Sequence, residues 1–234
     1  MNFAVLLAGG TGTRMKSATL PKQFLELGGE PILRLTVDKF LSCPKIDHII
    51  VAAPAIWLAH TQDLLNDKRF SSVKICEGGS TRQESLYNAV KFIESAFNIT
   101  DDDIIVSHDV ARPFVSRRAI EENISAMEKW DAVDTVIPAT DTIVESMDQQ
   151  CVSHIPDRKN MFQGQTPQTF RRATYLNIYE KLSPAYLESV TDAARILAEH
   201  GCSVGLVKGD EFNIKVTTDY DLRIASFLVE NPHD

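Results

Sequence analysis

Short apolar runs, each ended by glycine, proline or a polar cluster, recur along the chain. Phe3 to Leu7 (FAVLL), Ile46 to Ala53 (IDHIIVAA), Val73 to Cys76, Ile104 to Val106, Ala132 to Thr140 (AVDTVIPAT) and Val204 to Val207 read as buried strands. Pro138 marks an edge or a bulge in its run, because proline donates nothing to a ladder. Between these runs, longer segments carry apolar residues at helical spacing. Pro31 to Leu41 does so at Ile32, Leu35, Val37, Phe40 and Leu41, with Pro31 in the first turn. Pro54 to Asn66, Arg117 to Lys129 and Leu187 to His200 predict further helices, the last opened by Ser189 or Thr191 and stopped by Gly201. Leu86, Tyr87, Val90 and Phe92 belong to another, capped by Ser80 or Thr81, with Gln83 or Glu84 completing a capping box. Tyr220-Asp221-Leu222 opens a final helix. Strands alternating with helices predict parallel β-α units, and so an α/β fold.

One stretch breaks this rhythm. Asp141 to Ser146 and Cys151 to Ile155 flank the polar Met147-Asp148-Gln149-Gln150 and read as a β-hairpin. A hairpin with so little to bury against is marginal alone, so a second subunit is its natural support. Gln163 to Phe170 then reads as a rigid turn returning the chain to the sheet. With 234 residues, 44% of them hydrophobic, and no repeats or linkers, the chain is expected to be one domain over 1–234, with 139–160 as an arm.

Charge and cysteines narrow the function. A net charge of −8 argues against a nucleic-acid-binding surface, though cations gathered in one cleft can still serve an anionic substrate. Cys43, Cys76, Cys151 and Cys202 form no C-x-x-C pair, which predicts reduced thiols rather than a zinc site or disulfides. No basic segment precedes an apolar one at Met1-Asn2-Phe3-Ala4, and no run approaches the ~18 apolar residues of a membrane helix. A cytoplasmic protein with no membrane partner is therefore expected.

The candidate chemistry starts where the first strand stops. Ala8-Gly9-Gly10-Thr11-Gly12-Thr13-Arg14-Met15 is a Gly-rich loop at a strand's carboxyl end, where backbone N–H groups can close around phosphate oxygens. It lacks the G-K-[ST] of a P-loop, and a basic residue replaces the third glycine of a dinucleotide fingerprint. Arg14 and Lys22 add two cations instead. A second Gly-rich corner spans Glu77 to Ser85, and His108-Asp109 ends the fourth strand run. An aspartate there can hold Mg²⁺, while His108 reads as an orienting hydrogen-bond partner rather than a proton carrier. Arg112, Arg158 and Lys215 each follow a strand or close a turn, which suits a reaction between two polyanions.

The motifs L-A-G-G-T-G-T-R-M with P-K-Q-F, G-G-x-x-R-x-x-S, H-D-x-x-R-P-F, Q-T-P-Q-x-F and N-I-K-x-T-T together resemble the cytidylyltransferases that activate polyol phosphates. The resemblance implies a single Rossmann-like nucleotidyltransferase domain, with a mostly parallel sheet flanked by helices and a projecting β-hairpin arm that makes a homodimer. It implies CTP and a polyol phosphate as substrates, with Mg²⁺. The backbone of Leu7, Ala8, Gly9, Gly10, Thr11 and Gly12 would hold the nucleotide. The corner of Gly79, Ser80, Thr81, Arg82, Gln83 and Ser85 would form the base pocket, Gly79 and Ser80 reading cytosine edges and Arg82 and Ser85 holding base or ribose. Val110 and Arg112 would also touch the nucleotide, and Asp109 the metal. Arg14, Lys22, Arg158 and Lys215 would be the catalytic cations, Arg158 and Lys215 holding the incoming phosphate. That phosphate is already ionised at neutral pH, so no general base is needed. Thr191-Asp192 matches a family pair in which Asp192 orients a basic partner.

Two branches share these motifs. DDDIIVSHD, AVDTVIPATDTIVES, IPDRKNMFQGQTPQ and FNIKVTT are similar to the branch that makes CDP-ribitol from D-ribitol 5-phosphate for teichoic-acid-type polymers. Arg82-Gln83-Glu84-Ser85 is similar to the branch that uses 2-C-methyl-D-erythritol 4-phosphate for isoprenoid precursors. The balance of segments favours ribitol.

Overall fold

The apolar run at the start of the chain is strand β1 (Asn2–Leu7), and its alternation separates two cores. Ala4 and Leu6 point to one face of the sheet, Phe3, Val5 and Leu7 to the other, because successive strand side chains alternate. The computed structural model describes residues 1–9 and 20–231.

Next come β2 (Glu26–Leu27) and β3 (Glu30–Pro31), a small antiparallel ladder. Gly28 and Gly29 join them with φ of 60° and 83°, a turn that demands residues at ease with positive φ. Helix α1 (Ile32–Leu41) follows, with Pro31 at its cap rather than in its first turn. Strand β4 (His48–Ala53) leads through a separate 3₁₀ turn (Ala55–Trp57) into α2 (Leu58–Leu64), so the helix expected over 54–66 is divided. Strand β5 (Lys74–Glu77), α3 (Arg82–Ala96), β6 (Ile104–Asp109) and α4 (Arg117–Ala126) come next.

Strand β7 (Ala132–Pro138) lies between two neighbours, not at an edge. Pro138 does no harm there because it is the last residue of the strand. The register shifts between Asp134 and Val136, so the run does carry an irregularity.

Gln163 to Phe170 is not a turn. It belongs to β8 (Phe162–Arg171), which pairs antiparallel with both β6 and β7. Thr166-Pro167 sits where the partner strand skips, since Asp134 faces Gln168 but Val136 faces Gly164. Pro167 therefore costs no ladder bond, which reconciles a proline with an interior strand.

Helix α5 (Arg172–Tyr179) is not among the elements that spacing predicts. The helix expected over 187–200 is two, α6 (Pro184–Ser189) and α7 (Ala193–Glu199). The break comes from Asp192, whose extended backbone and side chain cap α7 by accepting from the Arg195 N–H at 2.8 Å. Strand β9 (Val204–Lys208) and α8 (Asp219–Glu230) finish the fold, the latter opened by a Thr218/Asp221 capping box.

The seven strands order as β5-β4-β1-β6-β8-β7-β9, parallel except for β8. This is the mostly parallel α/β sheet flanked by helices that the pattern predicts. Helices α1, α4 and α8 bury Leu33, Val37, Phe40, Ile120 and Ala225 on one face. Helices α3, α5 and α7 bury Leu86, Val90, Ile93, Tyr175 and Ile196 on the other.

The arm falls short of a hairpin. Between β7 and β8 the described chain forms one bridge, Glu145 with His154, and most of its residues are exposed. Val144, Met147 and Val152 have no sheet beneath them to bury against. Beyond that bridge the excursion is held by local hydrogen bonds, with Ser146 Oγ and the Gln150 and Cys151 N–H groups donating to Asp148 Oδ1 and the Met147 N–H to Ser153 Oγ. Among the described residues, no helix is long and apolar enough to cross a membrane.

Candidate functional site

The sheet order reverses at β1 and β6. From β1 the chain builds outward to β4 and β5, then returns to lay β6 on the other side of β1. Loops leaving two strands at such a reversal diverge and open a crevice at their carboxyl ends. Leu7 and Asp109, the last residues of the two strands, are direct partners there.

Asp109 is the hub of that crevice. Its Oδ1 accepts from Arg82 Nε at 2.9 Å and its Oδ2 from Lys215 Nζ at 2.7 Å. Burial alone would raise this carboxyl, but Arg82 and Lys215 together hold it well below the usual carboxylate range. Arg82 is the first residue of α3, while Lys215 lies in the segment before α8. That segment is pinned to the end of β6 by the Val216 N–H, which donates to the Ala111 carbonyl at 2.8 Å, and by the full burial of Val216.

Two compartments meet at the hub. The first, about 200 Å³, is lined by Leu7, Gly9, Lys22 and Ser85 along with Arg82, Asp109 and Lys215. Gln23 Nε2 donates to the Ala8 carbonyl at 2.7 Å, a buried clasp between the end of β1 and the turn carrying Lys22. The second Gly-rich corner closes the other wall. Thr81 caps α3, accepting from the Glu84 N–H, while Glu84 returns its carboxylate to the N–H and hydroxyl of Ser80, both at 2.6 Å. This is a capping box displaced by one residue. The Gly79 N–H donates to Ser85 Oγ at 3.0 Å, and any side chain on Gly79 would run into Glu84. The N–H groups expected to read cytosine edges are thus engaged within the corner, and Arg82, expected at the base or ribose, is tied to Asp109. Gln83 is buried with no partner for its amide among the described residues.

The second compartment, about 220 Å³, lies on the other side of the hub and is lined by Arg112, Asp134, Gln165, Gln168, Thr191 and Asp192. Gln168 donates to Asp134 at 3.0 Å and to Asp192 at 3.4 Å, while its own oxygen accepts from the Ala193 N–H. Burial pushes the Asp134 carboxyl up to about 6, with Gln168 opposing the rise and Asp192 adding to it. Asp192 therefore orients an amide and a helix, not the basic partner that its motif implies. Sequence reasoning misses Asp134, Gln165 and Gln168. Their signal is nonetheless present: polar side chains inside runs otherwise fit for a buried sheet.

The wall between strands is a hydrogen-bonded relay. His108 is fully buried; its Nε2 meets the Arg112 carbonyl at 3.0 Å and its Nδ1 meets Thr166 Oγ1 at 3.0 Å. A carbonyl only accepts, so Nε2 carries the proton and Nδ1 accepts from the hydroxyl. Burial pushes the imidazole down to about 4. His108 thus orients Thr166, whose Oγ1 also accepts from the Asp109 N–H at 3.2 Å. Arg112 donates to the Asn213 carbonyl at 2.7 Å, bracing the Lys215 segment, and burial lowers its guanidinium from the ordinary value. The Val110 backbone is fully used, its N–H by Leu7 and its carbonyl by Thr36.

The remaining expected site residues divide. Arg158 lies on the arm, donates to the Thr140 carbonyl and lines neither compartment of its own chain. Gly10, Thr11, Gly12 and Arg14 lie outside the described residues. No group of three or more His, Cys, Asp or Glu side chains arranged to hold a metal occurs among the described residues.

Known proteins share this architecture. A solved structure from Anaerococcus prevotii, described as 4-diphosphocytidyl-2C-methyl-D-erythritol synthase, is 28% identical with a TM-score of 0.82, over 98% of this chain and 96% of that one. The 2-C-methyl-D-erythritol 4-phosphate cytidylyltransferase of Francisella tularensis is 29% identical with a TM-score of 0.80, over 97% and 98%. That of Thermus thermophilus is 26% identical with a TM-score of 0.73, over 98% and 100%. The family description IspD, 2-C-methyl-D-erythritol 4-phosphate cytidylyltransferase, matches residues 2–231, and this chain belongs to that family.

Proposed function

We propose that the chain transfers the cytidylyl group of CTP to a polyol phosphate and releases pyrophosphate. The observation that carries this is the convergence of Lys22, Arg82 and Lys215 on a two-compartment crevice joined at Asp109. CTP occupies the compartment beside Leu7, Gly9 and Ser85, and the acceptor occupies the one beyond the hub. An acceptor phosphate oxygen attacks the α-phosphorus, the bond to the β-phosphate oxygen breaks, and pyrophosphate leaves. The attacking oxygen is already an anion, so nothing need remove a proton. Buried, neutral His108, with both ring nitrogens in use, fits that requirement. The work left to the protein is alignment and charge stabilisation. Lys22 takes charge growing on the nucleotide phosphates, while Lys215 and Arg82, held by Asp109, align the two reacting phosphates. Arg158 serves the neighbouring subunit of a homodimer through the arm.

A divalent cation fits in a limited way. Asp109 offers one carboxylate, and both of its oxygens already accept hydrogen bonds from cations. That is no protein cage, but Mg²⁺ commonly takes one or two carboxylates and completes its shell with substrate phosphates and water. Asp109 would hold it, and the ion would supply positive charge to the triphosphate.

Two acceptors compete. The comparisons support 2-C-methyl-D-erythritol 4-phosphate better, since the family and the solved relatives carry that name. One observation favours D-ribitol 5-phosphate: among the described residues the acceptor compartment is lined by charged, amide and hydroxyl side chains, with no aliphatic side chain larger than a threonine methyl to receive a branch methyl. Supplying CTP with each polyol phosphate and measuring pyrophosphate release decides between them. Release with neither would overturn the proposed activity.

A further inference from the structure

We propose that Asp134 selects the acceptor, its Oδ2 taking a hydroxyl from the carbon chain at the end remote from the phosphate. The inference rests on cytidylyl transfer to a polyol phosphate and names the residue that reads the polyol. Asp134 is a strand residue of β7, next to the register shift that leaves Gln165, Thr166 and Pro167 of β8 without a ladder partner. Its Oδ1 is engaged by Gln168 Nε2 at 3.0 Å. Among the described residues no side chain donates to its Oδ2, which faces Gly164, where an added Cβ would stand 3.7 Å away. Asp134 and Gly164 both line the compartment.

The compartment is polarised. Lys215 and Arg82 border its hub end and suit a phosphate. Asp134 and Asp192 line it too, joined through the Gln168 amide, and they repel a second anion while accepting from neutral hydroxyls. A molecule with a phosphate at one end and hydroxyls along the rest matches both ends. An acceptor with a carboxylate or second phosphate on its tail does not. Burial raises the Asp134 carboxyl, which fits a carboxylate placed to face a ligand. A site built to bond a hydroxyl discriminates far more strongly than one that merely encloses it, because its own polar group is otherwise left unpaired. Asp134 should therefore matter more for ribitol, whose longer chain carries its last hydroxyl one carbon further from the phosphate, than for methylerythritol.

The test uses the full chain, CTP, D-ribitol 5-phosphate and 2-C-methyl-D-erythritol 4-phosphate, with wild type, Asp134→Asn and Asp134→Val. The inference expects Asp134→Val to lower the ribitol-to-methylerythritol ratio of kcat/KM by roughly tenfold to a hundredfold, the scale of one hydrogen bond to a charged group. The loss should fall on the acceptor KM, while CTP binding measured by calorimetry stays unchanged. Asp134→Asn, which keeps an accepting oxygen, should lose less. Wild-type turnover combined with an unchanged ratio in both variants would overturn the inference and leave the activity standing. Equal losses for both acceptors together with weakened CTP binding would mark Asp134 as structural and also overturn it. No turnover of either acceptor by wild type would remove the activity, and the inference with it.

Discussion

Replacing Asp109 with asparagine tests the hub directly. The native carboxylate accepts two charged hydrogen bonds, from Arg82 at 2.9 Å and Lys215 at 2.7 Å. Its side chain is 10% exposed, against 22% for Arg82 and 37% for Lys215. An asparagine has one accepting oxygen, so at least one bond goes, and its amide N–H groups point at a cation. Arg82 is the more vulnerable to loss, because its Nη1 is already buried without a partner among the described residues. Removing one member of a buried charge pair costs about 3–5 kcal/mol. Water reaching Lys215 trims that, so about 3 kcal/mol is expected in urea unfolding at pH 7. For a chain of this size that is roughly 6–12 °C in Tm. The pH dependence carries a sign. A carboxyl depressed in the folded state stabilises above its unfolded value of about 3.9, and the contribution fades as pH falls below it. The gap between wild type and Asp109→Asn should hold constant from pH 8 to pH 5 and shrink below about pH 4. A gap under about 1 kcal/mol at pH 7, or one that widens on acidification, would refute the claim that two cations are organised by this carboxylate.

Further expectations follow from other residues. Lys22→Ala should fold with an unchanged far-ultraviolet spectrum yet lose roughly 10²–10³ in kcat, the scale of a missing charge-stabilising donor; wild-type turnover would remove Lys22 from the mechanism. Asp134 should cost stability where it is ionised. Its raised carboxyl, faced by Asp192, Asp109, Arg82, Arg112 and Lys215 with no histidine lining the compartment, favours the protonated folded form. Asp134→Asn should therefore raise Tm at pH 8 by about 2–4 °C per kcal/mol relieved, with the gain declining as pH drops through 6 toward 4. Aspartate at both Val144 and Val152, which are 50% and 62% exposed on the arm, should convert a sedimenting dimer to monomers; a wild-type monomer at micromolar concentration would contradict the homodimer.

The strands are legible where one physical cause acts alone. β1 and β4 are apolar after their first residues, Asn2 and His48, because helices cover both faces of the sheet, and that burial leaves a continuous hydrophobic run. The helices are legible from spacing but not from their ends. Asp192 divides one expected helix because a cap acts through a single side chain, which periodicity does not register. β8 is hidden by Thr166-Pro167, since the missing donor is tolerated only through a register shift that β7 supplies from elsewhere in the chain. The arm is where alternation misleads: it predicts strands, but it cannot supply the surface that makes two strands stable. Among site residues, Lys22, Arg82, Asp109 and Lys215 stand out in the sequence as cation or anion positions. The pairing of Asp109 with Arg82 and Lys215 does not, because it depends on three distant segments meeting. Gln168 and Asp134 escape for the same reason, being paired only across a sheet whose order the sequence does not state.

The two-sided character of β1 has a consequence for variation. Because Phe3, Val5 and Leu7 fill one core while Ala4 and Leu6 fill the other, inserting a single residue would exchange the occupants of both. The same insertion would drag Ala8 away from its Gln23 clasp and Leu7 from Asp109. Tolerance to change in this strand should consequently be limited to swaps of matched volume, with length itself under the tightest constraint.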